Sequence, residues 1–132
     1  LMGLMDFWKK LVKAYKDSQI WNNIEKSEDL KQVYKESYEK PVALLTCATM
    51  HFRSDYMISD FEKQARRMDL SRVKFYRLNY TGNSKLKQEL SEDLGVPIES
   101  ATFLLFRDGQ VIFKRHEELV DMERLMKKLF EE

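Results

Sequence analysis

Residues His51-Phe52-Arg53-Ser54 bring together an imidazole, a guanidinium and a hydroxyl. At the start of a helix such groups could bind an anion, because the free N–H groups and the dipole there favour negative charge and disfavour a protonated histidine. A polar helix start is also ordinary, since these donors are routinely capped without any ligand, and a solvated turn is the simpler reading. The only cysteine, Cys47, stands four residues earlier in an apolar run. A thiol in that setting is expected to be an inert core group, its pKa raised rather than lowered. His116, between Arg115 and Glu117, is the only other histidine. Two histidines and a glutamate could suggest a metal or acid–base site, but zinc sites usually show three or four ligands, so no metal is assigned. Phosphate loop, nucleophile elbow, metalloprotease helix and paired-cysteine zinc pattern are all absent from the sequence. No cofactor is expected.

The elements that must position these residues run from Pro41 to Met68. Val42 to Leu45 shows no polar alternation and reads as a strand buried on both faces. After the turn, Met57, Ile58, Phe61, Ala65 and Met68 recur at the spacing of one helical face, with Asp60, Glu62, Lys63, Arg66 and Arg67 largely opposite. A strand therefore hands over to a helix at the His51 turn.

The remainder is consistent with one globular domain: 132 residues, 43% hydrophobic and 34% charged, at a net charge of +1. Acids and bases are interspersed, which argues against nucleic acid as a partner. No apolar run approaches the roughly 20 residues of a membrane-spanning helix. One cysteine excludes an intramolecular disulfide and allows a reducing compartment, so a cytoplasmic location is the expectation. The sequence starts at Leu1 rather than an initiator Met, and localisation cannot be read from that end.

In chain order, residues 4–17 place Leu4, Trp8, Leu11 and Tyr15 on one side and Lys9, Lys10, Lys13 and Lys16 elsewhere, a basic amphipathic helix. It is read as an extra helix packed on the domain, with a membrane-surface or partner-binding helix as the alternative. Residues 18–24 supply a short first strand. Ser27 caps a helix with the stripe Leu30, Val33, Tyr34 and Tyr38, which Pro41 stops. Val73 to Tyr80 is an aromatic-rich strand, and its Phe75, Tyr76 and Tyr80 are read as core and edge rather than as a nucleic-acid platform. A helix from Ser84 follows, with Leu86, Leu90 and Leu94, and ends at Gly95. Asp108-Gly109 between Thr102–Phe106 and Val111–Phe113 marks a hairpin. A closing helix carries Met122, Leu125, Met126, Leu129 and Phe130 on its face, with Lys127 and Lys128 near its end.

The block CATMHFRSDYM together with this order of elements resembles the thioredoxin superfamily, in which a Trp-Cys-x-x-Cys motif sits at the strand-to-helix turn. The resemblance places His51 where the attacking cysteine would be and Ser54 where the resolving cysteine would be. It also places Met50 at the family's Trp, Leu45 at the buried carboxylate of many thioredoxins, and Ala101 at the cis-proline. Thiol–disulfide exchange needs an attacking thiolate and, in the dithiol mechanism, a second thiol to resolve the mixed disulfide. The resemblance thus implies a member that is not a dithiol oxidoreductase, with a trans Ser100–Ala101 peptide because non-proline residues strongly prefer trans. It also implies that His51 and Arg53 share one edge with Arg115 and His116.

The expected fold is α/β, a thioredoxin-like three-layer arrangement with a mixed sheet and helices on both faces, as residues 18–132, preceded by an N-terminal amphipathic helix, residues 1–17, packed on or extending the domain. The expected function is non-catalytic protein binding, as an adaptor, assembly factor or chaperone-like module. The motif turn His51-Phe52-Arg53-Ser54 and the edge of Met50, Ser100, Ala101, Thr102, Arg115 and His116 are its candidate groove. Two alternatives differ in class: an enzyme or binder of a small thiol or anion using His51 or Ser54, and a membrane-surface protein using the N-terminal helix. The partner's identity and the oligomeric state do not follow from the sequence.

Overall fold

β2 (Val42–Cys47) is buried along its whole length, as its unbroken apolar character requires. A computed structural model of the chain describes residues 3–18, 20–67, 72–95, 97–98 and 101–130. Around β2 the order is α1 (Leu4–Ser18), β1 (Trp21–Asn23), α2 (Ser27–Glu36), α3 (Phe52–Ala65), β3 (Lys74–Asn79), α4 (Ser84–Leu94), β4 (Thr102–Arg107), β5 (Gln110–His116) and α5 (Met122–Phe130). The sheet runs β1-β3-β2-β4-β5. β1 and β2 are parallel to β3, whereas β4 is antiparallel to both β2 and β5. This is the expected three-layer, mixed-sheet, thioredoxin-like fold.

Alternation along the central strands divides the core in two. Ala43, Leu45, Phe75, Phe103 and Leu105 face α3 and α5, meeting Met57, Phe61, Met122 and Leu125. Val42, Leu44, Tyr76, Leu78, Leu104 and Phe106 face the other way, onto Leu30 and Val33 of α2 and Leu86 and Leu90 of α4. Phe75 and Tyr76, adjacent in sequence, therefore serve opposite layers, in keeping with their reading as core.

Several local expectations are refined. α2 starts at Ser27, but its N-cap is Lys26, and the Asp29 carboxylate accepts from the Lys26 and Glu25 N–H groups at 3.2 and 3.0 Å. Tyr38 lies beyond α2 and is exposed rather than part of its buried stripe. α4 ends at Gly95 in the left-handed conformation, as read. On α5, Met122, Leu125 and Met126 are buried while Leu129 is left at the rim. Met68 lies outside the described residues.

Leu4, Met5, Phe7, Trp8 and Leu11 are all exposed, so the apolar side of the first two turns of α1 is not turned into the domain core. The Tyr15 side chain lies outside the described residues.

The Asp108-Gly109 turn joins β4 and β5 with both residues at positive φ, 53° and 76°, the two-residue geometry that matches strand twist. Ser37 holds it from the far side of α2: its carbonyl accepts from the Asp108 N–H at 2.9 Å and its hydroxyl from the Gly109 N–H at 2.8 Å. A Cβ on Gly109 would collide with the Tyr38 phenol. Replacing Gly109 with Ala should therefore cost more than the ~1 kcal/mol of left-handed strain alone, and Gly109→Ala, Tyr38→Ala should recover part of it, both read by urea denaturation.

Candidate functional site

The C-terminal end of β2 delivers the chain to a four-residue turn, Ala48 to His51, that opens α3. The turn is braced from the neighbouring β3–α4 connection. The Thr49 N–H donates to the Thr81 hydroxyl at 2.9 Å, and Asn79 Nδ2 donates to the Thr49 hydroxyl at 2.9 Å. The sequence marked neither residue as a brace: Asn79 falls in the strand read from Val73 to Tyr80, and Thr81 precedes the turn residue Gly82.

His51 is the N-cap of α3. Its Nδ1 accepts from the Ser54 N–H at 3.1 Å and lies 2.9 Å from the Ser54 hydroxyl, while the Ser54 oxygen accepts from the Ala48 N–H at 3.1 Å. Nδ1 thus serves as an acceptor, which puts the ring proton of the neutral imidazole on Nε2. A histidine hydrogen-bonded to a serine has the separation of a base and a nucleophile. Here Ser54 is buried and its oxygen is committed to the turn, so the pair closes the helix start instead of presenting a hydroxyl to solvent.

Leu45, at the place of the family's buried carboxylate, packs in the α3-side core. Cys47 is 1% exposed. Burial pushes its thiol up to about 11; the nearby positive charge of Arg77 opposes that shift and the negative charge of Asp55 adds to it. A thiolate is therefore disfavoured at neutral pH.

The other edge residues are placed by the sheet. Thr46, Thr102 and His116 stand in one row across β2, β4 and β5, so His116 ends at the same end of the sheet as the motif turn, about 10 Å across two strand spacings from Thr46. Thr102 and Ala101 are buried. The Thr102 hydroxyl lies 3.0 Å from His116 Nδ1, and the Ala101 carbonyl accepts from the Glu117 N–H at 2.8 Å. Arg115 pairs with Glu118 at 2.8 Å and lies over the Phe113 ring. Both histidines are thus bonded to their own neighbours, and among the described residues no three His, Cys, Asp or Glu side chains are gathered to hold a metal ion. Ser100 and the Ser100–Ala101 peptide lie outside the described residues.

What the turn offers to solvent is apolar. Met50 is 94% exposed, Phe52 78% and Tyr56 53%. The Phe52 and Tyr56 rings are parallel, 4° apart in plane, with centroids 6.4 Å apart. Met50 holds the left-handed conformation at φ 57°, uncommon for a residue with a side chain. Arg53 is exposed beside them. Tyr56 was missed in the sequence, although its separation of four residues from Phe52, on the side of α3 away from Met57 and Phe61, was a usable signal.

Two outcomes test this geometry. His51→Ala should destabilise the protein by about 0.5–2 kcal/mol through loss of the cap, and His51→Asn should restore most of that, by denaturant midpoint. For Cys47, the folded state favours the neutral thiol. Its stabilising contribution is complete below the ordinary value of 9.0 and is lost as pH rises through about 11. The stability of the wild type relative to Cys47→Ala should accordingly fall across that window and stay level below it.

Comparisons with known proteins agree with the architecture. A protein with a thioredoxin fold superposes with a TM-score of 0.67 at 20% identity, covering 82% of this chain and 92% of that one. The thioredoxin of Malassezia sympodialis gives 0.61 at 23% identity, covering 86% and 90%, and that of Schistosoma mansoni gives 0.65 at 14%, covering 85% and 100%. At these identities the likeness is one of fold. No curated protein matches the sequence. The model of one family, described as monothiol bacilliredoxin BrxC, matches residues 22–125, from β1 into α5. A single cysteine is compatible with a one-thiol family and excludes a Cys-x-x-Cys pair. This chain is a member of the monothiol bacilliredoxin BrxC family.

Proposed function

We propose that this chain is a protein-binding member of its family, presenting an apolar shelf at the turn where the thioredoxin resemblance expects a thiol, and performing no thiol–disulfide exchange itself. The observation that carries the reading is the exposure of Met50 on the turn and of Phe52 and Tyr56 at the start of α3. Large apolar side chains that sit together in solvent mark interaction sites, and methionine and aromatic residues are enriched at the centres of protein interfaces. Holding Met50 at positive φ costs on the order of 1–2 kcal/mol, a strain of the kind retained at working sites. The occupant is an extended segment of a partner protein, its apolar side chain resting on the Phe52–Tyr56 pair. Arg53 at the rim suits an acidic neighbour in that segment.

The chemistry supports the same reading. Exchange requires a thiolate to form a new S–S bond while the leaving thiolate departs. At the turn His51 offers no sulfur, and the one sulfur able to form such a bond is enclosed at the end of β2 with its proton retained.

The family description favours a second reading, a monothiol protein that works through Cys47 when the end of β2 opens. Alkylation separates the two. In the native protein at neutral pH, iodoacetamide should label Cys47 orders of magnitude more slowly than in denaturant. A thiol introduced by His51→Cys should label rapidly, because a helix N-terminus stabilises thiolate. Prompt labelling of native Cys47, with turnover of a mixed disulfide that Cys47→Ala abolishes, would establish the second reading.

Binding is tested with a photo-crosslinking phenylalanine analogue at position 52 in the source cells. A discrete adduct is expected there and not from the same group at Lys31, on α2. Tyr56→Asp should reduce the adduct at least tenfold, and Met50→Gly should reduce it without loss of stability, since glycine relieves the positive φ. Labelling no different between positions 52 and 31 would end the proposal.

A further inference from the structure

The first turns of α1 carry a surface the proposed function does not use. At about 100° per residue, Leu4, Phe7, Trp8 and Leu11 fall within an arc of about 100°, and Met5 widens it to about 160°. All five side chains are exposed, Leu4 by 74% and Trp8 by 57%. The polar residues are ordered around that arc. Lys9 follows it on the Met5 side and Lys10 on the Phe7 side, while Asp6 sits between them, at the centre of the opposite face. The sequence repeats the pattern once more, with Val12, Ala14 and Tyr15 at apolar spacings and Lys13, Lys16 and Asp17 at polar ones.

We propose that α1 is an interfacial helix that lays the whole protein on an anionic lipid bilayer. Three features select that occupant. Lysines at both shoulders of the apolar arc reach headgroup phosphates while the arc itself enters the acyl boundary, and the acidic side chain is turned away from the surface. Trp8, an apolar ring with a polar N–H, suits the depth of the headgroups. The helix is 15 residues long, about 22 Å, too short to cross the hydrocarbon, and no helix among the described residues is long and apolar enough to do so. It lies along the surface. The basic shoulders favour anionic over zwitterionic lipid, and the attraction is screened by salt as the Debye length falls from about 10 Å at 0.1 M to about 3 Å at 1 M.

The test uses the full chain and vesicles of phosphatidylcholine with and without phosphatidylglycerol, read by co-sedimentation and by tryptophan emission. Trp21, the only other tryptophan, donates its Nε1 proton to Glu62 at 3.0 Å and packs at the domain core. Trp8 is therefore the residue whose emission should move to shorter wavelength and be quenched by brominated lipid. Binding to the anionic vesicles is expected to be at least tenfold tighter than to phosphatidylcholine alone and to weaken with added salt. Lys9→Glu, Lys10→Glu should lose the preference for anionic lipid. Phe7→Glu, Trp8→Glu should lose binding altogether while leaving the domain's thermal midpoint in place, because both side chains are exposed. Absence of wild-type partition onto anionic vesicles overturns the proposal, as does binding indifferent to lipid charge. Self-association that Trp8→Glu abolishes, seen without vesicle binding, also overturns it and assigns the face to a second copy. If a variant misfolds by circular dichroism, the wild-type comparison between the two vesicle types still decides.

Discussion

Burial of β2 on both faces constrains everything else in this molecule. A strand at the centre of a mixed sheet can satisfy its backbone through β3 and β4, but its side chains need an apolar layer above and below. α3 and α5 provide one layer, and α2 and α4 the other. The same arrangement determines where β2 can release the chain. It emerges only at the sheet's end, at the turn before α3, and that turn becomes the most exposed point on an otherwise enclosed run. A turn at that point must satisfy its own polar groups. His51 and Ser54 do so with side chains, and Thr81 and Asn79 do so from the next connection.

The physical character of the turn follows from what that bracing consumes. The imidazole and hydroxyl that might have done chemistry are spent on the N–H groups of Ser54 and Ala48. Cys47 is one residue too early to leave the sheet, so its sulfur is held in the apolar interior, where the neutral thiol is favoured. The solvent-facing side chains from Thr49 to Tyr56 then include a thioether, two aromatic rings, a guanidinium and the Asp55 carboxylate. In the proposed reading such a surface serves contact rather than bond-making. Membership of a family described as monothiol makes the burial of the only thiol the central chemical fact about this chain.

The two exposed apolar surfaces differ in kind. The shelf at Met50, Phe52 and Tyr56 lies on the turn after a core strand and the start of α3, with Arg53 and Asp55 exposed beside it. The face of α1 lies exposed along the helix's first turns, bordered by lysines on both sides. In the two proposals the first receives a side chain of a partner protein and the second meets a lipid plane. Nothing requires one to influence the other.

Periodicity and turn chemistry in the sequence alone determined the order of elements, the central buried strand, the Asp108-Gly109 hairpin and the Gly95 helix end, because each depends on local sterics or on spacing along one chain. The loss of a cysteine pair was equally legible, since it depends only on which residue stands at which place. Tertiary structure decided what depends on neighbours distant in sequence. Thr102 and His116 close on each other across a strand pair, Ala101 is covered instead of lining an open groove, and Asn79 and Thr81 brace the turn. Whether an amphipathic helix faces its own core or the outside was likewise undecided by its pattern. Leu4, Trp8 and Leu11 have the same spacing in either case, and only the folded chain shows that they stand in solvent.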